Sequence, residues 1–240
     1  MSTFVLVHGA WHGAWAWYKV VPLLESKGHD VVPLDLPAHG TDTTPIEEIT
    51  LEEYVEHVGE ALEAEDESVL LVGHSSGGVI ISQTAEEYAE HIDRLVYLSA
   101  FLLDDGEALI DYAAADDESV ITQHYVLNED AGYATVADEG IREGFYADCS
   151  DADVTLARSL LRPEPLASQV TPVEISTERF GSVPRIYLGC EQDRAITPAT
   201  QRKMRENLPC EEVRTLEASH SPFLSAPDAL AEHLDAIASA

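Results

Sequence analysis

Apolar and polar positions alternate along the chain with two different periods. "TFVLVHG", from Thr3 to Gly9, is a near-continuous apolar run closed by a glycine, which predicts a buried strand. "WYKVVPLLESKGHD" follows with apolar residues at helical spacing and Gly28 as a stop, which predicts a helix. The same exchange recurs toward the C-terminus. "VVPLDL", "SVLLVG", "RLVYLSAF", "RIYLGC" and "EEVRTLEA" read as strands. "TLEEYVEHVGEALE", "SGGVIISQTAEEYAEHI", "TPATQRKMRENLP" and "APDALAEHLDAIA" read as helices. Thr50 with Glu53 three residues on predicts a capping box, and a proline opens each of the last two helices. Strands that alternate with helices, and are apolar on both faces, predict a mostly parallel six-stranded sheet with helices on both sides.

One interval breaks this rhythm. About eighty residues separate the fourth predicted strand from the fifth, far more than a simple crossover needs. The interval contains helix-like pieces such as "DADVTLARSLLRP" and is expected to be a helical lid over the carboxyl edge of the sheet. The organisation expected is a core in two parts, 1–102 and 185–240, with the lid at 103–184.

Charge adds a second feature. The 240 residues carry 45 acidic and 13 basic side chains, a formal net charge of −32, with the carboxylates spread along the whole length. A folded surface of this kind repels nucleic acid and anionic membranes. It also repels itself unless salt screens it, so the excess of carboxylates and the scarcity of lysine imply adaptation to a salt-rich interior. Three widely spaced cysteines, with no CxxC pair, argue against a disulfide framework and a zinc site. No opening segment has the pattern of a signal peptide, and no run approaches the ~18 apolar residues of a membrane span. A soluble cytoplasmic protein is expected.

The candidate chemistry starts at "LLVGHSSGGVIIS", Leu70 to Ser82. Gly73-x-Ser75-x-Gly77 follows a predicted strand and opens a predicted helix, the context in which a nucleophilic serine is raised on a tight elbow. The Ser76 N–H, at the positive end of that helix, is then aimed at the reacting oxygen. A serine needs a base. His8, His12 and His39 lie in loops after strands, and His29, His57, His91 and His124 read as surface or helix residues. His220, in "EASHSPF" just beyond the last predicted strand, is in the position a base requires. The orienting acid expected is Asp193, in the loop after the fifth strand; Asp104 and Asp105, after the fourth, form the rival site. Asp35 and Glu191 read as loop or surface carboxylates. The order Ser75, Asp193, His220 matches the triad order of such sheets. In "VHGAWHGAW" the Ala10 N–H is the natural second donor for an oxyanion, beside that of Ser76.

Taken together, "FVLVHGAWHGAWAWYKVVPLLESKGHDV", "GHSSGG", "LSAFLLDDGE", "GCEQDRAITP" and "ASHSPFLS" resemble the methylesterase and hydroxynitrile lyase family of α/β-hydrolases over nearly the whole chain. The resemblance implies the α/β-hydrolase fold, no metal or organic cofactor, a small-molecule ester as substrate and, since many members are dimers, a homodimer. It implies Ser75 as nucleophile, His220 as base and Asp193 as its partner. Trp11, His12, Phe101, Phe223 and Leu224 are expected to wall the pocket. A ligand receptor without catalysis is a reading from another class, and the complete triad argues against it. Ser75 excludes the hydrolases of this fold that use an aspartate nucleophile.

Within the family, esterase is favoured over lyase. The plant lyases carry a threonine where this chain has Gly9 and a lysine where it has Ser221. A unit charge ~4 Å from cyanide at an effective dielectric of about 20 is worth roughly 4 kcal/mol, and Ser221 supplies no charge.

Overall fold

The computed structural model describes residues 1–239. Along the chain, β1 (Thr3–Val7) leads to α1 (Val20–Ser26), β2 (Asp30–Pro33), α2 (Leu51–Glu63), β3 (Val69–His74), α3 (Gly77–Tyr88) and β4 (Ile92–Leu98). The insertion follows, with α4 (Leu109–Ala115), α5 (Val120–Gln123), β5 (Tyr125–Asn128), β6 (Tyr133–Val136), α6 (Asp138–Phe145), α7 (Asp151–Leu160), β7 (Glu164–Pro165) and α8 (Ala167–Val170). The chain returns through β8 (Arg185–Cys190), α9 (Pro198–Asn207), β9 (Glu212–Leu216), α10 (Pro222–Ser225) and α11 (Pro227–Ala238). All six core strands predicted from the apolar runs are present. The capping box at the head of α2 is formed, with the Glu53 N–H donating to Thr50 Oγ1 (3.1 Å) and the Thr50 N–H donating to Glu53 Oε2 (3.3 Å).

The six core strands form one sheet in the order β2-β1-β3-β4-β8-β9, and every neighbouring pair is parallel. Side chains alternate between two core layers. Val5, Val7 and Leu71 face one layer; Phe4, Leu6, Leu70 and Val72 face the other. Each such fully buried side chain contributes roughly 1.5–3 kcal/mol relative to exposure. Helices cover both faces, so all of β3 is buried, as its unbroken apolar run requires.

Strand order reverses between β1 and β3. From β1 the chain steps outward to β2; from β3 it steps the other way. Loops leaving the carboxyl ends of these two strands diverge and open a crevice, which is where ligands bind in open parallel sheets. The register pairs Val7 with Gly73 and His74 with Leu98, so the loops after β1, β3 and β4 start level with one another.

The insertion has the helices expected of it, and also a three-stranded antiparallel sheet, β5-β6-β7, that the apolar pattern does not signal. Its strands have four, four and two residues, too short for a periodicity to register. Among the described residues no helix is long and apolar enough to cross a membrane.

Candidate active site

Ser75 sits between the end of β3 and the start of α3 with φ +54°, in the left-handed region that non-glycine residues avoid. The flanking glycines do not have positive φ. The sharp turn therefore falls on the serine itself, and the glycines serve close approach. A Cβ on Gly73 would lie 2.7 Å from the Gly77 carbonyl oxygen. The strained peptide is held by two bonds across to the next strand and its loop: Ser75 N–H to Leu98 O (3.3 Å) and Phe101 N–H to Ser75 O (3.0 Å).

Asp193, after β8, and His220, after β9, are brought together. His220 Nδ1–H donates to Asp193 Oδ2 at 2.7 Å, with both side chains buried. His220 Nε2 is also buried and has no partner among the described residues. Asp193 is fixed on every side. Its Oδ1 accepts from the N–H groups of Ala195 (2.7 Å) and Ile196 (3.0 Å), and its Oδ2 also accepts from Ser99 Oγ and from Gln201 Nε2 (3.4 Å). Ser99, itself at φ +41°, and Gln201 were not singled out by the sequence. Ser99 stands at the carboxyl end of β4, the rival position for the acid, so the fourth strand supplies a donor to the acid of the fifth. Asp104 and Asp105 are exposed and bond within their own loop and to the Ile175 N–H. On the far side of His220, Asp148 of the lid accepts from the Ser219 N–H (2.8 Å) and the Ser219 hydroxyl.

The loop after β1 approaches Ser75 as closely as a chain can. A Cβ on Gly9 would lie 2.7 Å from Ser75 Cβ and 2.9 Å from His74 Nδ1. Neither the Ala10 nor the Ser76 N–H is engaged by another group among the described residues. The peptide after Ala10 is clamped at both ends. Its carbonyl accepts from His12 Nδ1–H (2.7 Å), and its N–H, that of Trp11, donates to Glu164 Oε2 (2.8 Å). Trp11 is held at φ +64° and makes two further bonds to the lid: Nε1–H to Ala134 O (3.0 Å), and its carbonyl from the Arg162 N–H (3.0 Å).

Three histidines beneath the site are held neutral by their surroundings. Burial pushes His12 down to about 3 and pushes His8 and His74 well below the ordinary imidazole range; neighbouring imidazoles add to the effect. His12 then has one N–H, spent on Ala10 O, and its Nε2 accepts from the Tyr146 hydroxyl at 2.7 Å. His39 is the exception. Burial lowers its pKa, but the Glu164 carboxylate 2.8 Å away outweighs that, so the net shift is upward. Asp35, also partly buried, accepts from the N–H groups of Ala14 (2.7 Å) and Thr41 (2.9 Å) and so ties the loop after β1 to that after β2.

Ser75, Ser76 and Ala10 line one cavity of about 220 Å³ between the sheet edge and the lid. Its walls include Trp11 and Phe101, as expected, and Leu109, Ile121, Phe145 and Ile196. Among the described residues no charged side chain lines it. His12, Phe223 and Leu224 do not form its walls. His12 is turned inward to Ala10 O, and Phe223 and Leu224 are buried in the core layer under α10. Phe223 packs edge-on against His74 at 4.9 Å between ring centres, because "SPFLS" forms a helical turn whose apolar residues face the sheet.

The class that such a sheet and site define is the serine hydrolases. The family model described as "Alpha/beta hydrolase family" matches residues 4–233. Salicylic acid-binding protein 2 of Nicotiana tabacum is 36% identical over 98% of this chain and 96% of its own length. The alpha-hydroxynitrile lyase of Arabidopsis thaliana is 34% identical over 98% and 96%. The crystal structure of polyneuridine aldehyde esterase superposes with a TM-score of 0.89 at 32% identity, covering 99% of each chain. The chain belongs to the α/β-hydrolase superfamily, within its methylesterase and hydroxynitrile lyase family. It is an enzyme of the carboxylesterase type.

Proposed function

We propose that the enzyme hydrolyses small, uncharged carboxylic esters of the methyl or aryl type, with Ser75, His220 and Asp193 as its triad. One observation carries the reading: Ser75 and two unengaged N–H groups, Ala10 and Ser76, line a single uncharged cavity. Ser75 Oγ attacks the ester carbonyl carbon while its proton passes to His220 Nε2. The oxygen of the tetrahedral intermediate is held by the Ala10 and Ser76 N–H groups, each such donor being worth ~10²–10³ in rate. The carbon–oxygen bond to the alcohol breaks, and the alcohol leaves with the proton from His220. Water repeats the sequence on the acyl-enzyme and releases the acid. Asp193 holds the His220 tautomer that keeps Nε2 free to accept. The glycine at position 9 supports hydrolysis over cyanohydrin cleavage, because the 2.7 Å approach to Ser75 leaves no room there for a threonine.

The working form we take to be a cytoplasmic homodimer that binds no nucleic acid. The three free cysteines fit a reducing interior, and the net charge of −32 opposes polyanions; sedimentation velocity tests the assembly. The activity is tested with a panel of p-nitrophenyl and methyl esters at several salt concentrations. Hydrolysis lost in Ser75→Ala supports the reading. Hydrolysis that persists in Ser75→Ala, or its absence from every ester tried, overturns it.

A further inference from the structure

Gln169, in α8 of the lid, is 3% exposed and lines the same cavity as Ser75. Its side-chain amide is half satisfied. The Tyr125 hydroxyl donates to Oε1 at 2.7 Å, while Nε2 is buried with no partner among the described residues. Tyr125 remains a phenol, and so a donor, across the working pH range: burial first, then the Glu164 charge, pushes it up to about 12. A buried N–H₂ group without an acceptor is a cost that native structures rarely leave uncompensated. None of the described residues accepts from it. Ser119 Oγ is turned to Ala195 O (2.8 Å) and Thr122 Oγ1 to Ala113 O (2.8 Å), and, Ser75, Ser76 and Tyr125 apart, the other walls are apolar.

From this we infer that Gln169 is a specificity residue, whose amide N–H₂ binds an acceptor oxygen of the substrate remote from the scissile carbonyl. The substrate class is then an uncharged, largely apolar ester that carries a second oxygen, such as a ketone, along its chain. A cationic or anionic ester finds no counter-charge in this cavity. A purely hydrocarbon ester fills the walls but leaves the amide unpaired. The selectivity is of the kind in which a site built to hydrogen-bond one substrate group penalises the analogue that lacks it. The inference rests on the esterase reading for its physiological meaning but concerns recognition, which is measured separately.

Methyl hexanoate is compared with methyl 3-oxo-, 4-oxo- and 5-oxohexanoate, which move a ketone along one chain. The expected result is that one keto ester exceeds methyl hexanoate in kcat/KM by roughly 10- to 100-fold, and that this ratio falls to near one in Gln169→Leu and in Gln169→Met. Two variants guard against one that fails to fold. Binding of the same esters to Ser75→Ala, by titration calorimetry, reads recognition without turnover and should show the same preference in Kd. No turnover of any ester by the wild type, with the keto preference intact in Ser75→Ala, removes the esterase reading and leaves the inference standing. Equal kcat/KM and equal Kd for keto and hydrocarbon esters overturn the inference, as does a preference that survives both Gln169 variants.

Discussion

Glu164, on the two-residue strand β7 of the lid, accepts a hydrogen bond at 2.8 Å from the backbone N–H of Trp11, 153 residues away in the loop after β1. The same Oε2 atom faces His39 Nε2 at 2.8 Å, and Oε1 accepts from Ser168 Oγ at 3.0 Å. One buried carboxylate thus joins the lid, the loop after β2 and the loop that presents the Ala10 N–H.

Removal of that carboxylate should uncouple the three. Glu164→Ala leaves the Trp11 N–H and His39 unpaired in a dry environment, and breaking a buried charged pair on one side costs about 3–5 kcal/mol. We expect a large fall in melting temperature and, where the protein stays folded, a fall in kcat greater than any change in KM, because the Ala10 N–H is the proposed donor to the transition state. Glu164→Gln keeps one acceptor and should retain more of both. Unaltered kcat in Glu164→Ala would show that the oxyanion loop holds its shape without the lid.

The triad assignment makes a sharper demand. Ser75→Ala and His220→Ala should each abolish most ester turnover, and the double variant should be hardly worse, since such residues act as a unit. Asp193→Asn should cost ~10⁴ in kcat by analogy with the serine protease triad. Ser99→Ala removes one of several donors to Asp193 and should cost far less. Asp104→Asn, on an exposed loop, should be silent. A crippled Asp104→Asn beside a normal Asp193→Asn would move the acid to the fourth strand.

These outcomes divide along the line between what the sequence states locally and what it states only through folding. The six strands were legible because each is a short unbroken apolar run. The placement of Ser75, Asp193 and His220 at the carboxyl ends of strands, and with it the His220–Asp193 contact, was legible because each lies just past such a run. Glu164, Ser99, Gln169 and Asp148 were not. Each acquires its role from a partner 70 or more residues away, or from a cavity wall that exists only once the lid has closed over the sheet. His12 misled for the opposite reason. It shares a loop with Ala10, but its ring turns inward to brace that loop. The lid sheet escaped because four-residue strands bracketing "EDAG" carry too few apolar positions to show a period.

Gly9→Ala is the most economical test of the oxyanion loop. The added methyl would sit 2.7 Å from Ser75 Cβ, closer than two carbons can approach, so the loop or the elbow must shift. A displacement of about 1 Å at reacting atoms is enough to cost ~10²-fold. Ester turnover should fall by at least that factor, while circular dichroism stays native. Gly9→Thr with Ser221→Lys, the pairing of the plant lyases, meets the same obstacle and should yield neither good esterase nor efficient lyase. The wild type should leave mandelonitrile uncleaved; cyanide release that is lost in Ser75→Ala would reverse the choice between the two activities.

The pH dependence of stability follows from the buried imidazoles. His8, His12 and His74 have folded-state pKa values below the unfolded value of ~6.5. In acid the unfolded chain binds these protons and the folded chain does not, so stability is present above ~6.5 and is lost as pH falls below it. His39 has the opposite sign: its raised pKa contributes stability that is full below ~6.5 and is lost as pH rises through the folded value. Three groups outweigh one on the acid side. Melting temperature should therefore drop between pH 7 and pH 5, with about three protons taken up on unfolding at pH 5 from these histidines. Stability that is flat or rising over that interval would mean the three rings are charged in the folded protein.

Salt should act in the direction the charge count dictates. Thirteen cations face 45 carboxylates, so most carboxylates have no lysine or arginine of their own to pair with. The ion pairs that do form on the surface, such as Arg158 with Asp138 and Arg142 with Asp151, are well exposed. Pairs of this kind contribute ~0–1 kcal/mol each, so little is lost when they are screened. Repulsion among the remaining carboxylates is a long-range sum, and it is what screening removes as the Debye length falls from ~10 Å at 0.1 M to ~3 Å at 1 M. Ser75 opens onto a cavity with no charged wall, so binding of an uncharged ester there is insulated from the same change. Melting temperature should rise steadily from dilute buffer to molar KCl, and activity should follow because the folded fraction rises, with KM for an uncharged ester little altered. A melting temperature that stays level between dilute buffer and 2 M salt would remove the salt-adapted reading while leaving the assignment of the site untouched.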